Sequence, residues 1–200
     1  MMSKPSRIED YIYVRNHIPV EICKEFITEC NRKKWAKHRW HSNHTNDNTA
    51  KREWDGQPTL PKELDVMNPT PQQQNKVTSF IIKSLKEYQA EHVWPGEKTE
   101  LQWINQFTAI RFNKYKKGKM MRVHYDNIHS IFDGKLKGIP IISIVGILND
   151  NYEGGQFMLR DREIKLKTGD ILLFPSGIVY PHGVKEIKKG VRYSFVSWAF

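Results

Sequence analysis

The chain reads as an α+β protein in which helices come first and an all-β roll follows. Three observations predict this. Residues 20–34 and 70–94 carry apolar side chains at helical spacing. From residue 101 onward, short apolar runs alternate with turn clusters about every 8–12 residues, the pattern of a β-sandwich or barrel. Within that region "GIPIISIVGIL" at 138–148 is β-branched and nearly all apolar, as a strand covered on both faces is.

The first helix, "VEICKEFITECNRKK", follows Pro19 and aligns Ile22, Phe26, Ile27 and Cys30. Residues 35–69 show no period and are rich in Trp, His, Asn, Asp and Pro. A connection of that length usually carries function. The second helix takes Thr70 as N-cap and Pro71 as its first residue, with Val77, Phe80, Ile81, Leu85 and Tyr88 on one stripe. "WPGE" at 94–97 ends it. Strands are expected in "LQWINQFTAIRF", "MRVHYD", the apolar run, "QFMLR" and "REIKLK" as a hairpin around Asp161, then "ILLFPSG", "VYPHGVKEI" and "VRYSFVSWAF". No internal repeat is present. We therefore expect one domain over 1–200, with 1–100 as helical support and substrate loops and 101–200 as the β-roll core.

Composition bounds the function classes. A hydrophobic fraction of 38% and an aromatic fraction of 12% over 200 residues fit a globular protein and argue against wholesale disorder. No stretch approaches the ~20 apolar residues of a membrane span, and residues 1–15 lack a signal-peptide core. The expectation is a soluble, cytoplasmic protein with no membrane attachment. Cys23 and Cys30 stand two helical turns apart, about 10 Å, too far for a disulfide. They read as reduced structural thiols, and without a C-x-x-C a thiolate zinc site is not expected. The net charge of +10 concentrates in "RKKWAKHRW" at 32–40, "RFNKYKKGKMMR" at 111–122, and Lys185, Lys188 and Lys189. Such runs read first as solvated surface; they permit nucleic-acid or acidic partners without establishing either.

The chemistry centres on "MRVHYDNIH" at 121–129. On a strand, His124 and Asp126 point to the same face. They are either two metal ligands or a structural hydrogen-bonded pair, and in a chain with eight histidines one H-x-D is weak by itself. One histidine lies in the strand region beyond residue 129, His182 in "VYPHGV". Arg192 follows in "VRYSF", with Ser194 two residues on and on the same face. Two imidazoles and one carboxylate on one side of a metal leave three positions open, which suits ferrous iron with a co-substrate and O₂. A buried Arg calls for a partner such as a carboxylate. His129 is the competing ligand. His38, His41 and His44 suggest a second metal site, but the polar residues around them favour a loop near the substrate mouth. Trp35, Trp40 and Trp54 either frame a substrate groove or staple that loop to the core.

The ordered set H-x-D, distal His and R-x-S resembles the 2-oxoglutarate- and Fe(II)-dependent dioxygenases. "GILNDNYEGGQFML" at 146–159, "LKTGDILLFPSG" at 166–177 and "GVRYSFVSWAF" at 190–200 narrow the resemblance to the prolyl 4-hydroxylase-like group. The likeness covers about residues 100–200. It implies a double-stranded β-helix (jelly-roll) core braced by the N-terminal helices. It also implies Fe(II) held by His124, Asp126 and His182, and 2-oxoglutarate held through Arg192, Ser194 and Tyr115. Trp198 would line the pocket, and Gly154 and Gly155 would make a tight turn. O₂ is the oxidant, succinate and CO₂ the by-products, and ascorbate an optional reductant. Ile147 departs from the pattern, standing where many animal members have a second co-substrate tyrosine. Others carry Lys in place of Arg192.

The substrate implied is a prolyl residue in a peptide or protein. The alternatives are a nucleic-acid demethylase, or a hydroxylase of a free amino acid or small molecule, with the same site. Against the demethylase, no second Arg follows Arg192 in "YSFVSWAF". A non-catalytic roll is disfavoured by the intact ligand set. Oligomeric state is left open by the sequence.

Overall fold

Alternation along each strand decides which layer its side chains enter, and this positions everything else. The computed structural model describes residues 7–38, 63–92, 104, 106–126 and 140–200. After a 3-10 turn at Ile8–Tyr11 come β1 (Tyr13–Asn16), α1 (Val20–Asn31), β2 (Ala36–Lys37), β3 (Asp65–Met67) and α2 (Pro71–His92). Then follow β4 (Arg111–Lys116), β5 (Met121–His124), β6 (Ile142–Ile147), β7 (Glu153–Gly154), β8 (Phe157–Leu159) and β9 (Arg162–Ile164). The chain continues with β10 (Asp170–Pro175), β11 (His182–Val184), β12 (Ile187–Lys189) and β13 (Val191–Ala199).

A seven-stranded sheet runs β1-β10-β6-β13-β4-β3-β2, and a four-stranded sheet runs β5-β11-β8-β9. All the paired strands are antiparallel. The large sheet has two buried faces. Ile144, Ile171 and Phe195 face α1 and α2, packing with Phe26, Val77 and Ile81. Val145, Leu172 and Phe174 face the small sheet, packing with Phe157, Leu159 and Val184. Every residue of β6 is buried, as its unbroken apolar run requires. Where β6 passes β13, a Cβ on Gly146 would sit 2.1 Å from the Phe195 ring, so only glycine fits. The result is the expected double-stranded β-helix, closed on the outside by two helices.

Local chemistry explains the helix limits. Thr70 and Gln73 form a reciprocal cap, Gln73 N donating to Thr70 Oγ1 (3.2 Å) and Thr70 N donating to Gln73 Oε1 (3.0 Å). The first helix ends at Asn31, short of residue 34, because the basic residues after Cys30 bring no further apolar contact. The long 35–69 connection is not structureless: it contributes β2 and β3 to the large sheet. In "LQWINQFTAIRF" the described residues 106–110 are less regular than the alternation suggests. Phe107 makes an isolated bridge to Ala199, and the strand begins at Arg111.

Gly154 and Gly155 take φ of +77° and +64°, the left-handed turn expected of the pair. The hairpin of β8 and β9 turns at Arg160 and Asp161, Arg160 itself at φ +59°. Both cysteines are free and buried, and burial pushes the Cys23 thiol up to about 11 and the Cys30 thiol up to about 12. No helix among the described residues is long and apolar enough to cross a membrane. "WPGE", Trp40, Trp54, His41, His44 and His129 lie outside the described residues.

Candidate metal centre

The cleft lies between the two sheets, with the inner faces of β4, β6 and β13 as its floor. His124 and His182 meet there because they are direct cross-strand partners in the small sheet; their ring centroids are 4.3 Å apart. β5 ends at His124, so Asp126 is not on the strand as H-x-D alternation implies. It sits in the bend that follows, where its amide donates to the Ser176 carbonyl (3.3 Å). The outcome for the site is the same. Asp126 Oδ1 lies 3.5 Å from His124 Nε2 and Oδ2 lies 3.5 Å from His182 Nε2. Ligand atoms of the three residues all fall within 4.8 Å of one another. Donors about 2.1 Å from one ion and at right angles would be about 3 Å apart, so the spacing suits a single ion.

Each group is held in the state a metal needs. A carbonyl oxygen only accepts, so His124 Nδ1–H donates to Arg122 O (2.8 Å) and His182 Nδ1–H to Tyr180 O (3.2 Å). Both Nε2 atoms then face the Asp126 carboxylate, the side on which a metal would sit. Burial pushes the His182 pKa down to about 4, which keeps the ring neutral. Phe157 stacks on that ring (5.8 Å) and Phe174 meets it edge-on (4.8 Å). Burial raises the Asp126 carboxyl, but the adjoining His124 and His182 side chains and the Ser143 hydroxyl outweigh it. The carboxyl stays ionised, well below the usual range.

Ser143 was not legible as a site residue. Its hydroxyl donates to Asp126 Oδ2 (2.6 Å) and pairs with Ser176 Oγ (2.8 Å). One signal could have found it: a lone hydroxyl in the apolar run of β6, buried on both faces, needs a partner. Ser143→Ala should weaken Fe(II) or Ni(II) binding by about 10–100-fold, as loss of a ligand's supporting partner does. Calorimetric titration reads this directly, and unchanged affinity would deny Ser143 a positioning role.

At the closed end of the cleft, Arg192 is 1% exposed. Its Nη1 donates to Ser194 Oγ (3.0 Å), and its Cζ lies 5.0 Å from the Tyr115 ring centroid, its cross-strand partner. Its Nε and Nη2 have no hydrogen-bond partner among the described residues. A buried guanidinium with two unmet donors is costly unless a planar oxyanion completes it. A carboxylate of 2-oxoglutarate is such an oxyanion, and the two unmet donors of Arg192 fit it. Ile147 is buried in the layer between the sheets. Trp198 lines the cleft, as its spacing from Arg192 implies.

The surroundings correct two expectations. His38 does not sit in a polar loop at the mouth: it is buried and pairs with Glu63 (3.3 Å), which also pairs with Arg122 (3.2 Å). Burial pushes His38 down to about 4. Trp35 staples its segment to the core, its Nε1 donating to Cys30 O (3.1 Å) and its ring against Tyr193 (6.2 Å). Nor is the basic run at 111–122 a uniformly solvated face. Lys114 donates to Asn31 Oδ1 (2.8 Å), Arg122 pairs with Glu63, and Arg111 lines the cleft.

Fold and site together define a jelly roll with a two-histidine, one-carboxylate metal centre backed by a buried arginine. Residues 110–200 match the model of the 2OG-Fe(II) oxygenase superfamily. A PKHD-type hydroxylase of Acinetobacter baumannii is 32% identical over 94 residues, 44% of this chain and 40% of that one. Prolyl 3-hydroxylase 2 of Homo sapiens is 38% identical over 58 residues, 26% of this chain and 8% of that one. The aligned part thus spans less than half the length of these curated relatives. In fold, the chain is similar to a Trichoplax adhaerens prolyl hydroxylase solved with a hypoxia inducible factor peptide fragment. The TM-score is 0.66 at 15% identity, covering 96% of this chain and 84% of that one. The donor set fits Fe(II) with 2-oxoglutarate.

Proposed function

We propose that the chain is a 2-oxoglutarate- and Fe(II)-dependent dioxygenase that hydroxylates a prolyl residue in a peptide or protein. The observation that carries the reading is the pair of unmet, buried Arg192 donors in the same cleft as the His124, Asp126 and His182 cluster. When bound, the iron and co-substrate supply the oxidising power for inserting oxygen into a C–H bond. The protein's part is to hold and orient. His124, Asp126 and His182 hold the metal on one side. Arg192 grips the distal carboxylate of 2-oxoglutarate, with Ser194 fixing one edge of its guanidinium. Burial raises the Tyr115 hydroxyl pKa, so it stays protonated and donates to that carboxylate. Trp198 walls the substrate end. We read residues 1–200 as one domain, 101–200 as its catalytic core and 1–100 as support that also lends three strands to the large sheet.

A peptide substrate is supported by the rim. Val123, Tyr125, Ile178 and Val179 are exposed apolar side chains next to the metal cluster in sequence, a surface suited to peptide contact. The Trichoplax relative's peptide complex points the same way. A nucleic-acid substrate has less support, since Lys114 and Arg122 are engaged and Arg111 lies inside the cleft, rather than being arrayed as a phosphate-binding stripe.

The test offers Pro-containing peptides, free amino acids and oligonucleotides to the Fe(II)-loaded protein with 2-oxoglutarate. Expected are Fe(II)-dependent succinate formation, stimulation by a prolyl peptide and gain of one oxygen on that peptide by mass spectrometry. Oxygen gained on an amino acid or oligonucleotide instead would move the substrate class. No succinate under any condition would defeat the dioxygenase reading.

A further inference from the structure

The mechanism uses one guanidinium, but the cleft holds two. Arg111 and Tyr115 stand four residues apart on the inner face of β4, about 13 Å at about 3.3 Å per residue. Register sets Tyr115 against Arg192 at the closed end, and Arg111 against Val196. Trp198, on the same face of β13, lies opposite Ser143, the partner of Asp126. The two arginines therefore lie toward opposite ends of the cleft, Arg111 at its substrate end.

Arg111 is poised but incomplete. Its Nε donates to Asn113 Oδ1 (3.2 Å), and its Cζ lies 5.4 Å from the Trp198 ring centroid. Asn113 and Trp198 thus fix the edge and the plane of the fork. Among the described residues, neither terminal nitrogen has a hydrogen-bond partner, and no Asp or Glu lies within ion-pair distance. Asp126 is the carboxylate whose charge reaches it, and that group is committed to the metal cluster. Burial disfavours its charge, yet a guanidinium cannot shed its proton in a protein. Met121, Val145, Phe157 and Val196 line the cleft nearby and offer it nothing polar.

We propose that Arg111 receives a carboxylate of the substrate, so that the protein selects prolyl peptides bearing an acid next to the reacting residue. The acid is either that residue's own C-terminal carboxylate or a neighbouring Asp or Glu side chain. The inference rests on the dioxygenase reading and adds the substrate class. A planar fork held by one edge matches a carboxylate in bidentate fashion. A phosphate would call for a second cation, and the other arginine of the cleft, Arg192, stands four strand residues along, a backbone span of about 13 Å.

The experiment compares three N-acetylated peptides: one ending in a free-carboxyl proline, one amidated with Pro-Glu, and one amidated with Pro-Gln. Succinate formation is measured with the Fe(II)-loaded protein, and affinity by calorimetry on the same samples without O₂. At least one acid-bearing peptide should bind and stimulate at least about tenfold better than the Pro-Gln amide, as expected for a hydrogen bond to a charged group. Which of the two does so identifies the source of the carboxylate. Arg111→Met should cut the preference below about twofold, and Arg111→Lys should keep part of it. Equal behaviour of all three peptides, or a preference that survives Arg111→Met, overturns the proposal. So does failure of every peptide to bind. The wild-type comparison stands even if Arg111→Met does not fold, with Arg111→Gln as the second variant. Acid-selective binding lost in the variant, with no succinate formed, would keep the carboxylate site and reject the dioxygenase reading instead.

Discussion

Asp126→Ala should abolish Fe(II)-dependent 2-oxoglutarate turnover and weaken metal binding by at least about 100-fold, beyond the usual cost of losing a ligand's supporting partner. The reasoning is electrostatic. Asp126 supplies the single negative charge of the cluster and sits between two imidazoles, 3.5 Å from each Nε2. Without it, two neutral rings face a divalent cation alone. The fold should tolerate the change. Asp126 lies beyond the end of β5, and its side chain's contacts outside the cluster come down to the Ser143 hydroxyl, which keeps Ser176. The variant should therefore stay within a few degrees of wild type in thermal melting while losing metal affinity in calorimetry. Asp126→Asn, which keeps the shape but not the charge, should recover little. Turnover and metal affinity at wild-type levels in Asp126→Ala would remove the residue from the centre.

The ordered motif was legible because strand geometry turns spacing into position. His182 and Arg192 need no local contact with His124 in sequence, since antiparallel register brings His182 opposite His124 and alternation aims Arg192, Ser194 and Trp198 at one face. The apolar run of β6 announced its burial on both faces for the same reason. What stayed hidden depends on which strand lies beside which. Arg111 looked like one more cation in a basic run. Only the position of β4, flanked by β13 and β3, shows that Arg111 faces inward while Lys114 faces the helix layer, over Trp35 and Tyr193. His38 and Glu63 are 25 residues apart and pair beside β2 and β3, the last two strands of the large sheet, which the aperiodic 35–69 segment did not reveal. The bend at Asp126 was invisible too, since a strand and a strand end both satisfy H-x-D.

Arg192→Met should produce opposite shifts in stability and in co-substrate binding. In the protein without 2-oxoglutarate, wild-type Arg192 leaves two buried donors unmet, each costing about 1–3 kcal/mol. Methionine removes that cost and fills a similar volume. It gives up one hydrogen bond to Ser194 and the contact over the Tyr115 ring, together about 1–3 kcal/mol. The balance favours the variant by about 1–3 kcal/mol, a rise in Tm of about 2–12 °C for a chain of this size. Adding 2-oxoglutarate with metal should reverse the order. Wild type gains stability by mass action as the ligand completes its fork, whereas the variant gains little. The loss of two charge-assisted bonds should raise the 2-oxoglutarate Kd by at least about 100-fold. Melting curves with and without 2-oxoglutarate, run side by side, therefore read the role without any turnover assay. If Arg192→Met melts lower than wild type without the ligand and is stabilised equally by it, then Arg192 is a core residue, not a co-substrate anchor. The predicted crossing of the two melting orders is a result that a purely structural arginine cannot give.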